Sequence, residues 1–289
     1  MKKRLWEWKM LDTGSKVFIF TSYVIMIFIT LIVLLPLLYV LQVTFSSDVN
    51  YAFRIFPKGF SLMHYKSVFE NGVVTKPLIN SIFITSVSVV ISMILTVMMA
   101  YPLSRKDLVG RSKWNFIVML PMTISLGFLP GYMLVKDLGL MNSYWALIMP
   151  GAITTTNVII MRNFFGTIPD SLIESAQLDG ASEMRILFNI VVPLSKPSMA
   201  TVAMFYMVSN WNEYFNVILY IRESSRQTLQ VVLRQIVMAN ENEEGLLNGV
   251  YATNIQYTVV IVAMIPILMV YPFAQRYFTK GILMGSVKG

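Results

Sequence analysis

Between Ser209 and Asn216 the chain reads Ser-Asn-Trp-Asn-Glu-Tyr-Phe-Asn, a polar and aromatic stretch set inside an apolar run. Ser209, Asn210, Asn212, Glu213 and Asn216 offer hydrogen-bond donors and acceptors beside the faces of Trp211 and Tyr214. That equipment holds hydroxyl-rich solutes; it does not break bonds. The same Asn and Ser side chains also serve as hydrogen-bonding glue between membrane helices, and both readings stay open here. Bond-breaking chemistry lacks its usual residues. The chain has no cysteine and a single histidine, His64, which excludes thiolate sites, cysteine nucleophiles, histidine triads and multi-histidine metal sites. No Gly-x-x-x-x-Gly-Lys-Ser/Thr phosphate loop and no His-Glu-x-x-His motif occurs.

The elements that must carry this stretch follow from composition. Of 289 residues 56% are hydrophobic and 13% charged, with a mean hydropathy of +0.64. Soluble domains carry roughly 25% charged residues, so the chain reads as an integral membrane protein. The fold class expected is all-α and polytopic, in one transmembrane domain over residues 1–289. Six apolar runs have about the length that spans a bilayer: Val17–Val43, Leu78–Ser104, Trp114–Val135, Ser143–Phe165, Ser198–Ile221 and Ile255–Gln275. The first follows Lys2, Lys3 and Arg4 but is too long for a signal peptide and lacks a cleavage site, so it reads as a retained helix. With the N-terminus inside, the inner segments collect 15 of the 23 basic residues, which favours both termini in the cytoplasm. The net charge of +8 is thereby explained by topology, and no nucleic-acid partner is expected. A continuous fifth helix would put Asn212 and Asn216 one turn apart, with Ser209 and Tyr220 on the same stripe. A carboxylate such as Glu213 at that depth needs water or a partner.

Two connections are long enough to have jobs. Residues 222–254, expected outside, carry the run Glu241, Glu243, Glu244 and read as a surface for an external partner. Residues 166–197, expected inside, read as two short helices with a hinge. Ser171 and Glu174 have capping-box spacing, Gly180 sits where a left-handed glycine would stop the first helix, and Ser182 can cap the second. Ile186, Leu187, Ile190 and Val191 share a face, and Pro193 is expected to end the helix.

This inner segment is similar to the EAA loop of ATP-binding-cassette importer permeases. Glu174-Ser175-Ala176, then Asp179-Gly180, then Ile190 and Val192-Pro193 keep its spacing, with Ser175 and Val192 as small departures. Asn210-Trp-Asn-Glu-Tyr-Phe215 and the tail Gly285-Ser-Val-Lys-Gly289 resemble the maltose-type, carbohydrate-uptake branch. The resemblance implies a type I importer permease in the bacterial cytoplasmic membrane, closest to those for oligosaccharides and oligouronides. It also implies partners: a second permease, two ATP-binding subunits that hold ATP and Mg, and an extracytoplasmic sugar-binding protein. Glu174, Ser175, Ala176, Asp179, Gly180, Ile190 and Pro193 would couple to the ATPases, and residues 209–216 would border the sugar path. No cofactor is expected in the chain itself. An importer for amino acids or phosphate is the alternative, and a membrane-embedded transferase a more distant one.

Overall fold

The computed structural model describes residues 12–47, 59–70, 72–124, 127–239 and 253–286. The basic N-terminal tail, the run Glu241, Glu243, Glu244 and the last three residues of the C-terminal tail lie outside the described residues. The described chain is helical throughout, with one isolated antiparallel bridge between Ser46 and Phe60. It divides into two compact units, one of residues 1–70 and 249–261, the other of residues 71–248 and 262–289.

The first unit is built on α1, Thr13–Phe45, begun by Asp12, whose carboxylate accepts from the Gly14 amide at 3.2 Å. This helix is apolar all round, and no part of its most apolar stretch is buried within the protein. A helix of that kind needs lipid or another chain around it. At 1.5 Å per residue it is about 50 Å long and overreaches a hydrocarbon core of about 30 Å. The short α2, Met63–Glu70, folds against its end: Tyr65 and Thr44 hydroxyls lie 3.0 Å apart, and His64 Nε2 is 3.1 Å from the Ser46 carbonyl. The lone histidine is thus a structural strut.

The second unit is organised around α3, Thr75–Ser104. Its buried face carries Ser81, Thr85, Ser88, Ser92 and Thr96, small side chains at helical spacing that let other helices approach closely. Against it pack α7, Thr155–Phe165, and α10, Lys196–Trp211. Tyr206 of α10 joins all three parts. Its buried hydroxyl lies 2.7 Å from Thr96 Oγ1 and accepts from the Thr154 amide at 3.2 Å. Thr154 and Thr155 therefore serve packing, the latter donating to the Val118 carbonyl at 3.1 Å.

Three of the six apolar runs are not the continuous helices expected. The third splits into α4, Arg111–Thr123, and α5, Phe128–Asp137, which are sharply bent, with Pro121 in the last turn of α4 and Gly127 left-handed at φ 70. The fourth has only α6, Trp145–Ile148, before Pro150 and Gly151 break it, and resumes as α7. The fifth ends at Trp211 and resumes as α11, Phe215–Tyr220. Hydropathy averages over such breaks because the residues within them are flanked by apolar ones. Among the described residues three helices are long and apolar enough to cross a membrane, or up to five if each bent pair counts once. The loop expected over residues 222–254 contains a 3₁₀ turn, Ser224–Arg226, and a further helix, α12, Leu229–Ala239. The last helix, α13, is Thr253–Ser286 and contains the whole sixth run.

Candidate functional site: a helical knob and a broken fifth run

The inner segment folds as two helices, α8, Asp170–Leu178, and α9, Glu183–Leu194. Helix α8 begins two residues earlier than the capping-box reading requires, at Asp170 rather than Leu172. Pro169 precedes the first turn, no side chain caps it, and Ser171 falls inside the helix. Asp170 takes over, its carboxylate accepting from Lys106 Nζ at 2.7 Å. That hydrogen bond, and then the lysine charge, hold the Asp170 carboxyl below its ordinary range. Ser175 donates to the Ser171 carbonyl at 2.8 Å. At the other end the expectation holds. Gly180 is left-handed at φ 78, its amide donates to Gln177 O at 3.0 Å, and the Ala181 amide reaches back to Ala176 O at 2.9 Å. These two bonds make a Schellman stop. Asp179 sits at the C-cap, exposed.

Ser182 caps α9 as expected, accepting from the Arg185 amide at 3.4 Å. The helix widens to a π turn over Leu187–Val191. Pro193 does not end it: the helix runs to Leu194, because the proline lies in the first turn of the α-helical piece Val192–Leu194, where a missing N–H is tolerated. Ser195 makes the break, and α10 leaves at 84°.

One face of this knob belongs to the core of the second unit. Ile173, Ile186, Leu187 and Val191 are buried with Val97, Ala100, Tyr101 and Leu103 of α3 and Met161 and Phe165 of α7; Ala176 and Ile190 pack against them. The other face is uncovered. Leu178 is 89% exposed, and Met184, Phe188 and Leu194 are more than half exposed, with Glu174 and Asp179 among the exposed residues of α8 and its C-cap. Glu183 is the fastening that sequence reasoning missed. Its Oε2 accepts from the Tyr101 hydroxyl at 2.6 Å and its Oε1 from Gln177 Nε2 at 2.8 Å. One carboxylate thus ties α3, α8 and α9 together. A cavity of about 530 Å³ opens beside it, lined by Met98, Tyr101, Pro102, Arg105, Glu183 and Met184 among others.

The 209–216 stretch is distributed differently from the expected stripe. Asn212 caps α10 and Glu213 lies in the break, where its Oε1 accepts from the Asn216 amide at 3.0 Å. Ser209, Asn212 and Asn216 therefore do not share one continuous helical face. Asn210 and Asn212 donate back to the carbonyls of Tyr206 and Val208 at 2.8 and 2.9 Å. Trp211 turns away from them, buried, its Nε1–H donating to Ala263 O at 3.2 Å. Exposed among the eight are Ser209, Asn212, Tyr214 and Phe215.

Past the break, two asparagines absent from the sequence reading fix the loop. Asn80 of α3 donates to the Ser225 and Gln227 carbonyls at 3.0 and 2.9 Å and accepts from the Tyr144 hydroxyl at 3.0 Å. Asn142, left-handed at φ 58, accepts from the amides of Arg222 and Glu223. Ser81 Oγ accepts from the Leu229 amide at 2.9 Å and so starts α12. Their side chains act 64 or more residues away in the chain, which leaves no local signal.

Comparison with known proteins matches this arrangement to one family. Residues 9–284 fit the model of the binding-protein-dependent transport system inner membrane component. The chain is 42% identical over 284 residues to a polygalacturonan/rhamnogalacturonan transport system permease protein, YtcP, of Bacillus subtilis, covering 95% of this chain and 99% of that one. It is 43% identical over 266 residues to protein LplC of the same organism, covering 89% and 90% of the two chains. A crystal structure of a bacterial ABC transporter involved in the import of the acidic polysaccharide alginate superposes with a TM-score of 0.84 at 31% identity, covering 93% of this chain and 99% of that one. The fold is that of a type I ABC importer permease, a transport subunit and not an enzyme. The chain belongs to the family of inner membrane components of binding-protein-dependent transport systems.

Proposed function

We propose that this chain is one of a pair of permease subunits in an ATP-driven importer of oligosaccharides in the bacterial cytoplasmic membrane. It passes the membrane six times with both termini inside, as the distribution of its basic residues favours. ATP and Mg are held by two separate ATPase subunits, and an extracytoplasmic binding protein delivers the sugar. The polygalacturonan/rhamnogalacturonan and alginate handled by YtcP and the alginate transporter support the substrate class. One observation carries the coupling role: the knob is continuous with the core of the spans on one face and bares Leu178, Met184, Phe188 and Leu194 on the other. A surface of that kind is an interaction site. Glu174, Ser175, Ala176, Asp179, Gly180, Ile190 and Pro193 form and present it. Movement of an ATPase against this face is passed through Glu183 and the shared core to α3 and α10 as bodies.

The chain has no cysteine, so single cysteines report cleanly. Leu178→Cys and Met184→Cys in the assembled importer should cross-link to an ATPase subunit with a short bifunctional maleimide. Vesicles containing the assembly should take up labelled oligosaccharide only with ATP. No cross-link from either position, although both react with a monofunctional maleimide in the isolated chain, overturns the coupling role. ATP-independent uptake overturns the importer reading.

A further inference from the structure

The break in the fifth run faces a cation. The Arg234 guanidinium lies over the Tyr214 ring, 4.6 Å from its centre, and a cavity of about 370 Å³ opens there. Asn212, Tyr214, Gln230, Leu233, Arg234 and Val237 line it. That volume is within the range of about 300–1,000 Å³ usual for small-molecule sites. Gln230, Leu233, Arg234 and Val237 fall on one face of α12 by helical spacing, while Leu229, Val231 and Ile236 bury the opposite side. The position of that face is fixed, since Ser81 starts the helix and Asn80 holds the turn before it. The tyrosine ring holds the guanidinium from one side and leaves its N–H edge available, a planar fork suited to a carboxylate. Among the described residues no carboxylate pairs with it. Arg234 is exposed, so its fork is open to a solute. A neutral sugar offers it only neutral hydrogen bonds, whereas a uronate offers the charge-assisted kind, roughly twice as strong.

We propose that Arg234, with Tyr214, Asn212 and Gln230, forms a subsite for the carboxylate of an acidic sugar residue, so that the imported oligosaccharides are oligouronides. This rests on the oligosaccharide-import reading and narrows it. Tyr214 supplies a ring edge for the sugar to lie against, and the Asn212 and Gln230 amides reach its hydroxyls. The acidic polysaccharides of the YtcP relative and the alginate transporter agree in charge with the site.

The test uses the complete importer, with its partner permease, ATPases and binding protein, in proteoliposomes. Uptake of trigalacturonate at sub-saturating concentration should fall about tenfold or more in Arg234→Gln, the loss expected for one hydrogen bond to a charged group. Arg234→Lys keeps the charge but not the fork and should fall clearly less than Arg234→Gln, with both complexes recovered in the parent's amount. Equal losses in the two variants, or uptake by Arg234→Gln within threefold of the parent, overturn the subsite. A parent complex that takes up maltotriose but not trigalacturonate also overturns it and leaves oligosaccharide import standing. A parent that takes up neither overturns the import reading itself.

Discussion

Tyr101 and Glu183 stand 82 positions apart in the chain and meet at 2.6 Å, the hydroxyl of a span's last turns donating to the carboxylate that opens the knob's second helix. Gln177 holds the other oxygen of the same carboxylate. A force applied to either knob helix therefore reaches α3 through a directed bond as well as through packing. Tyr101→Phe keeps the ring in the core and deletes only the bond, at a cost of about 1 kcal/mol for a partly exposed pair. The complex should assemble and hydrolyse ATP, but take up less sugar per ATP consumed. An unchanged ratio of uptake to hydrolysis would show that packing alone transmits the movement.

Gly180 tests the hinge. Its φ of 78 costs a side-chain-bearing residue roughly 1–2 kcal/mol, and beyond its chain neighbours no residue comes within 4 Å of where a Cβ would stand, so the penalty at this position is conformational. Gly180→Ala should lower the stability of the knob by about that amount and preserve function. Gly180→Pro cannot adopt the φ and loses the amide that bonds to Gln177 O. It should abolish hydrolysis stimulated by the loaded binding protein while docking of that protein to the outer face persists, as a pull-down would read.

Glu174 tests the uncovered face. It is exposed in the middle of α8, beyond the first turn, so charge reversal acts weakly on the helix dipole. Glu174→Lys should change the stability of the isolated permease by less than about 0.5 kcal/mol. Stimulated hydrolysis should nevertheless drop, because in the proposed coupling the lysine faces the ATPase subunit. A thermal midpoint that falls together with the hydrolysis would assign Glu174 to folding instead.

Single cysteines from Ser209 to Tyr220 should label in a pattern set by the break. Positions 209 and 212 should react with a water-soluble thiol reagent, and the buried positions 211, 217 and 220 should be protected. A pattern repeating every three to four residues through 212–214 would restore the continuous helix and remove the geometry around Glu213.

Asp170 gives a pH dependence with a definite sign. Its folded carboxyl lies below the ordinary value of about 3.9, first through the Lys106 hydrogen bond and then through the lysine charge. A depressed carboxyl contributes above the unfolded value and loses that contribution as pH falls through the folded one. The Lys106–Asp170 bond should therefore be fully formed at neutral pH and open only in acid below the normal aspartate midpoint. Carboxyl chemical shifts in the parent and in Lys106→Ala would show it, the variant titrating higher.

The sequence disclosed what is decided locally. Gly180 stopping a helix and Ser182 starting the next depend on neighbours within five residues, and both appear as read. The apolar face Ile186–Val191 was legible for the same reason. The misplaced start of α8 shows the limit of that logic: Asp170 is held by Lys106, 64 positions earlier, and the helix begins to suit it. The fifth run misled because its break is stabilised from within. Glu213 satisfies the Asn216 amide, so a polar residue that signals a buried charge in a continuous helix here replaces a missing turn. Asn80, Asn142 and Arg234 could not be found locally, since each acts through a partner reached only after the chain has folded back.

The bond from Trp211 to Ala263 gives the protein an optical gauge. The Trp211 indole N–H donates to the carbonyl of Ala263, three residues before Pro266 within α13. Trp114 and Trp145 are about half exposed, whereas Trp211 is 4% exposed beside an apolar cavity of about 400 Å³ that Pro266 also lines. Its emission is therefore that of an indole in a dry, hydrogen-bonded pocket between α10 and the middle of α13. Separation of those two helices breaks the bond and wets the ring, so a red shift timed against nucleotide binding would clock the opening of this permease without any added dye.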